Sequence, residues 1–219
     1  MDKPYVLYGG RATGAVAVEA ALRLLGLAYE VTDEPALAGP LRDRRAAGVN
    51  PLRQVPALVL PGGEILTESA AILIWLADRY PQARLAPAPL EHARPAFLRW
   101  MMFVSSQIYA LYWVRDDPAR LAADEAHKAV ILERTGERIS RCWRVMDAQI
   151  APGTYLLGDE LSVLDLYVAV VSRWGPRRRQ FYAAAPRMAE AVRRVDADPR
   201  LAALWADRFP FVEGWEGEA

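Results

Sequence analysis

The chain has 219 residues, 27 basic and 27 acidic side chains, a formal net charge of zero and 53 % hydrophobic residues. That length suits one large domain or two small ones with ample material for a core, and the balanced charge gives no reason to expect a nucleic-acid or anionic-membrane partner. The single cysteine, Cys142, rules out an internal disulfide and fits a reducing, cytoplasmic setting. The opening "MDKPYVLYGG" is too short and too polar for a signal peptide. Apolar runs such as "AILIWLA" fall well short of the roughly 18 residues a membrane span needs.

"YVLY" (5–8) reads as a short strand, followed by the glycine-bearing loop "GGRATG" (9–14). "AVAVEAALRLLG" (15–26) reads as a helix with Val16, Ala20 and Leu24 on one face and Gly26 where a left-handed residue closes it. "YEVT" (29–32) alternates as a second strand, and Pro40 can open a weaker helix over "LRDRRAA", ended by Gly48. "ALVL" and "EILT" flank "PGG" and predict a hairpin. "SAAILIWLADRY" (69–80) predicts a helix stopped by Pro81. The order is β-α-β-α-β-β-α, which allows a βαβ unit followed by a hairpin. Residues 81–92, with three prolines, read as a linker. Everything beyond is helical, most strongly over about 93–115, 119–150, 162–174, 185–195 and 199–208. "LSVLDL" (161–166) has a capping-box form, with Ser162 as N-cap, Asp165 three residues on, and Leu161 and Leu166 placed for a hydrophobic staple.

Several chemistries find no support. His92 and His127 lack partners at metal-ligand spacing, so no metal is expected. Cys142 falls inside a helical pattern and reads as a buried, inert thiol. "GGRATG" matches neither phosphate-binding glycine motif. "PRRRQ" (176–180) reads as a solvated turn before it reads as the rim of an anion pocket, and the aromatics of "IYALYW" (108–113) as core before pocket wall. Residues 55–69 are different. Pro56 stands at the mouth of a strand, where proline is tolerated only at a first residue, an edge or a bulge. A cis bond there would turn the Val55 peptide outward, free to pair with an extended peptide. Glu68 and Ser69 open the next helix; they either cap it or, with its free N–H groups, form a receptor for an amino-acid zwitterion.

"NPLRQVPALVLPGGEILTESAAILIWLADRYP" resembles the second half of the glutathione-binding domain of cytosolic glutathione transferases of bacterial type. The marks are Asn-Pro before the strand, the Val-Pro pair, the acidic hairpin, Glu-Ser opening a helix and the Tyr-Pro stop. The resemblance implies an α/β plus all-α protein: a thioredoxin-like βαβαββα domain over 1–82, a linker over 83–92 and an all-α domain over 93–219 that walls the electrophile site. It implies a cis Pro56, backbone pairing of Val55 with the cysteinyl unit of glutathione, Glu68 and Ser69 on the γ-glutamyl zwitterion, and Arg53 and Gln54 toward the other end. The family places a Tyr, Ser or Cys after strand one to stabilise the thiolate. "LYGGRATGAV" has neither Ser nor Cys, which leaves Thr13, then Tyr8, with Arg11 as a charge. Lowering a thiol pKa of about 8.5 by two units takes roughly 2.7 kcal/mol. Ser105, Tyr109, Tyr112 and Trp113 are the electrophile-pocket candidates. The resemblance implies a dimeric, detoxifying transferase that uses glutathione as co-substrate on a small apolar electrophile. Glutathione-dependent disulfide reduction and a non-catalytic scaffold of the same fold stay open beside it.

Overall fold

The computed structural model describes residues 3–33, 48–174 and 177–210. The helix predicted over 41–47 lies outside them. Strand β1 (Tyr5–Gly9) pairs in parallel with β2 (Tyr29–Asp33) and antiparallel with β3 (Ala57–Val59), which forms a hairpin with β4 (Ile65–Thr67). The sheet order is β2-β1-β3-β4, as a βαβ unit joined to a hairpin requires. Along β1, Tyr5, Leu7 and Gly9 are buried while Val6 and Tyr8 are half-buried, the alternation that a pleated strand imposes.

Helix α1 (Ala15–Leu24) connects β1 to β2 and ends as its sequence predicts. Gly26 has φ 64°; its N–H donates to Arg23 O and the Leu27 N–H to Leu22 O, so both hydrogen bonds of a Schellman closure are present. Helix α2 (Ser69–Arg79) follows the hairpin and packs on α1. The connecting stretch is not slack. Leu85 is buried and its carbonyl accepts the Val163 N–H at 2.8 Å, while Arg84 pairs with Glu91 and Glu160.

The remainder is helical: α3 (Arg94–Phe103), α4 (Ala110–Asp116), α5 (Glu125–Gln149), α6 (Val163–Val171), α7 (Arg177–Ala184), α8 (Ala189–Asp196) and α9 (Ala202–Arg208). All nine residues of α6 are buried, so it is apolar all round and forms the centre, touching α1 and α2 as well as α3 and α8. Each of its leucines contributes about 1.5–3 kcal/mol by leaving water. Its start is the predicted capping box: Asp165 accepts from the Ser162 N–H at 2.9 Å and hydroxyl at 2.7 Å, and from the Leu156 N–H at 2.8 Å.

Two expectations are corrected. The helix read as continuous over 93–115 contains a wide π-helical stretch at Val104–Tyr109 between α3 and α4. Arg177–Gln180 is not a solvated turn but the start of α7. Arg178 is fully buried and, with buried Arg173, bonds the Asp196 carboxylate at 2.6–2.9 Å. A basic run signals solvent only while no acid is folded onto it, and Asp196 comes from α8, 18 residues on.

Candidate functional site

The site is built where two helix N-termini, those of α1 and α2, meet side chains from the helical half. Asn50 is buried and organises the approach to β3: its amide donates to Gln54 O at 2.9 Å, its carbonyl accepts the Leu52 N–H at 3.0 Å, and its backbone O accepts the Arg53 N–H. Arg53 and Gln54 are exposed, Arg53 with φ 54°. The Val55–Pro56 peptide bond is cis, Pro56 is buried, and Val55 precedes the first ladder residue of β3 by two positions.

Beyond the hairpin, Glu68 is exposed and stands as N-cap of α2 with φ 65° and ψ 104°, and no side chain caps the helix. Its Ser69 neighbour turns inward. Ser69 is buried and its Oγ donates to Tyr167 Oη of α6 at 3.1 Å. The first-turn N–H groups of α2 are therefore left to solvent or to an anion. Four described non-glycine residues have positive φ: Ala12, Arg53, Glu68 and Arg84. Three of them border this site, which marks it as a place where the backbone is held against its preference.

The loop from β1 to α1 is clasped by the helical half. Both polar atoms of the Ala12 peptide are taken: its N–H donates to Arg208 O at 2.9 Å, and its C=O accepts Trp174 Nε1 at 2.8 Å. Arg11 is exposed and pairs with Asp207 at 2.6 Å, so its charge is already met by a carboxylate. Buried Glu19 of α1 pairs with Arg208 at 3.0 Å. Thr13 is half-buried and its Oγ1 donates to Gly10 O at 2.7 Å, which commits its one proton to the loop itself. Tyr8 is half-buried and lies opposite Ala57 in the β1–β3 ladder, one residue from Pro56.

Three side chains from the helical half form a layer over this. Tyr109 stacks on Trp174 at 4.7 Å and on Tyr167 at 6.0 Å between ring centroids. Its hydroxyl lies against the backbone of Gly14, the N-cap of α1, and a Cβ on Gly14 would overlap that hydroxyl. Ser105 lies close enough to the Tyr167 hydroxyl to act on it, beside Ser69. Tyr112 is buried and donates to Trp174 O at 3.1 Å. Burial pushes the Tyr112 and Tyr167 hydroxyls up to about 12 and Tyr109 up as well, with the Glu68 carboxylate adding to the rise at Tyr109 and Tyr167. All three are neutral donors at physiological pH.

Of the pocket candidates, then, Ser105, Tyr109 and Tyr112 come together around Tyr167 and Trp174. Trp113 does not: it is 44 % exposed and stacks with Arg120 instead. Tyr112 and Trp113 are neighbours on α4, and adjacent helical residues do not share a face, so with Tyr112 turned inward Trp113 is turned toward solvent. Cys142 is buried in α5 and desolvation pushes its thiol pKa up, so it behaves as a core residue. Sequence reasoning missed Tyr167, Trp174 and Asn50. Tyr167 carried a signal, as the only polar side chain after Asp165 in the apolar run "VLDLYVAVV".

The model of the glutathione S-transferase N-terminal domain matches residues 15–79. Among individual proteins, the uncharacterized GST-like protein YncG of Escherichia coli K12 is 30 % identical over 200 residues, 89 % of this chain and 94 % of that protein. Glutathione S-transferase Z2 of Arabidopsis thaliana is 30 % identical over 73 % of this chain and 70 % of its own length. A glutathione transferase homolog from Sulfitobacter, solved with bound glutathione, superposes with a TM-score of 0.81 at 26 % identity, over 93 % of this chain and 97 % of that one. A thioredoxin-like sheet backed by helices is the fold shared with the Sulfitobacter protein over 93 % of this chain, and the sequence likeness to the Escherichia coli protein runs over 89 % of it: the chain belongs to the glutathione S-transferase family.

Proposed function

We propose that the protein is a glutathione transferase that binds the tripeptide across Arg53, Gln54, Val55, Pro56, Glu68 and Ser69 and activates it as a thiolate toward an apolar electrophile. The observation that carries this reading is the α2 N-terminus. Glu68, exposed at positive φ, offers a carboxylate to an ammonium, while the uncapped first-turn N–H groups beside it suit a carboxylate. One amino-acid zwitterion satisfies both, and the γ-glutamyl end of glutathione is such a group. Ser69 enters this reading through its backbone N–H, since its hydroxyl is engaged with Tyr167.

In the reaction the thiol loses its proton to water, the sulfur forms a bond to the electrophilic carbon, and the leaving group departs with the displaced electron pair. The all-α half, with Tyr109, Tyr112 and Ser105, supplies the wall against which the electrophile rests. The single buried cysteine leaves no protein thiol in the described site for a mixed disulfide, so disulfide reduction here would draw both thiols from glutathione. Domain limits of 1–82 and 93–219 with a joint at 83–92 suit this division of labour, as does a reducing, cytoplasmic compartment. A homodimer fits the exposed pair Leu98 (38 %) and Met102 (46 %), one turn apart on α3, which a second copy would cover; sedimentation at micromolar concentration reads it directly.

Thermal melting tests the reading. Glutathione at 100 times its Kd adds about 2.7 kcal/mol, a rise of roughly 5–10 °C for a chain of this size. An unchanged melting point at millimolar glutathione would sink it. Conjugation of an aryl halide, set against reduction of a small mixed disulfide, separates transferase from reductase; binding without either activity identifies a scaffold.

A further inference from the structure

Resting on that reading, we infer that the hydroxyl that stabilises the glutathione thiolate comes from Tyr109 of the helical half and not from the β1–α1 loop. The loop's own candidates are poorly placed to give a proton. Thr13 Oγ1 spends its proton on Gly10 O at 2.7 Å, and the carbonyl, as a permanent acceptor, holds it there. The Arg11 guanidinium is paired with Asp207 and points to α9. Tyr109, by contrast, brings its hydroxyl to the N-cap of α1 from 95 residues away.

The Tyr109 hydroxyl lies against the Gly14 backbone, and among the described residues no hydrogen bond spends its proton. A donor with its proton unspent, at the positive end of a 10-residue helix, is what a thiolate needs. The absence of a side chain at residue 14 is what makes room, since a Cβ there would overlap the hydroxyl. The π-helical stretch ends at Tyr109 and sets its direction, and the Trp174 ring, bonded to Ala12 O, holds the phenol from behind at 4.7 Å. The titratable groups that act most on Tyr109 are Tyr167 of α6, Asp116 of α4 and Glu68 at the start of α2, none of them a cation. Burial keeps the phenol protonated, so it donates without competing for the charge.

The test is an ultraviolet titration of the thiolate of bound glutathione, from pH 5 to 10, in wild type and four variants. Tyr109→Phe keeps the ring and its stacking; the bound-thiol pKa is expected to rise by about one unit, a tenfold loss of thiolate below the pKa, with glutathione Kd changed less than about threefold. Gly14→Ala leaves Tyr109 in place chemically and is compatible with the helical φ of −62° at this position, yet forces the hydroxyl away; it is expected to give the same rise even if the phenylalanine variant folds poorly. The double variant should be no worse than either single one, because both remove one hydrogen bond. Thr13→Val should leave the thiol pKa in place. A wild-type pKa well below 8.5 that neither Tyr109→Phe nor Gly14→Ala moves overturns this inference and leaves the transferase reading standing. No glutathione binding by wild type overturns both.

Discussion

The Ser69 hydroxyl donates to Tyr167 Oη across 3.1 Å, and this one bond ties the first turn of α2 to the central helix of the all-α half, 98 residues away. The residue that opens α2 is thereby locked to the central helix of the opposite half, and its neighbour Glu68 is exposed.

Tyr167→Phe keeps the shape of the ring and deletes the acceptor of the Ser69 hydroxyl. The Ser69 hydroxyl is left buried without a partner, which costs about 1–3 kcal/mol. Denaturant unfolding is expected to show that loss, with a few-fold weaker glutathione affinity because the start of α2 is less firmly held. Unchanged stability would mean that the hydroxyl finds water and that the bond contributes little.

Glu68→Gln separates binding from folding. Glu68 is exposed, so the free protein should melt within about 0.5 kcal/mol of wild type. Losing the charged partner of an ammonium costs about 1.5 kcal/mol or more, so glutathione Kd should rise about tenfold by calorimetry. An equal affinity in the variant would remove Glu68 from the zwitterion site.

Asp165 gives a pH signature. Full burial outweighs its bonds to Leu156 and Ser162 and raises its pKa from 3.8 to about 6. The folded state therefore holds this proton more tightly than the unfolded chain does. The resulting stabilisation is complete below pH 3.8 and is lost as pH rises through about 6, roughly 3 kcal/mol in all. Asp165→Asn does not titrate, so wild type should lose that amount relative to the variant between pH 4 and 7. A difference that stays constant with pH would show that the carboxylate is ionised throughout.

Asp196→Ala removes the carboxylate shared by Arg173 and Arg178, three side chains that are each at most 7 % exposed. Desolvation brings the Arg173 pKa down to about 10 even with Asp196 present, and stripping the anion from two buried guanidiniums should cost about 3–5 kcal/mol. Urea unfolding would read it as a large fall in midpoint; Asp196→Asn should fall between, since it keeps an acceptor.

The signals that act over a few residues were legible in the sequence alone. Gly26 closes α1, "PGG" turns the β3–β4 hairpin, Ser162 and Asp165 start α6, Pro56 carries the cis bond before β3 and Ser69 opens α2. Each of these is set by local backbone sterics or by a hydrogen bond spanning at most four or five residues, so the residue types carry the information themselves. What lay beyond reach was every contact closed over a long loop. Tyr109 against Gly14, Trp174 on Ala12, Ser69 on Tyr167 and Arg178 inside the core all join segments that local preference treats as independent. Thr13 stands at the right position in the chain, and its hydroxyl donates to Gly10 O. Which hydroxyl has a proton to spare depends on what else is packed there, and only the docking of the helical half onto the sheet decides that.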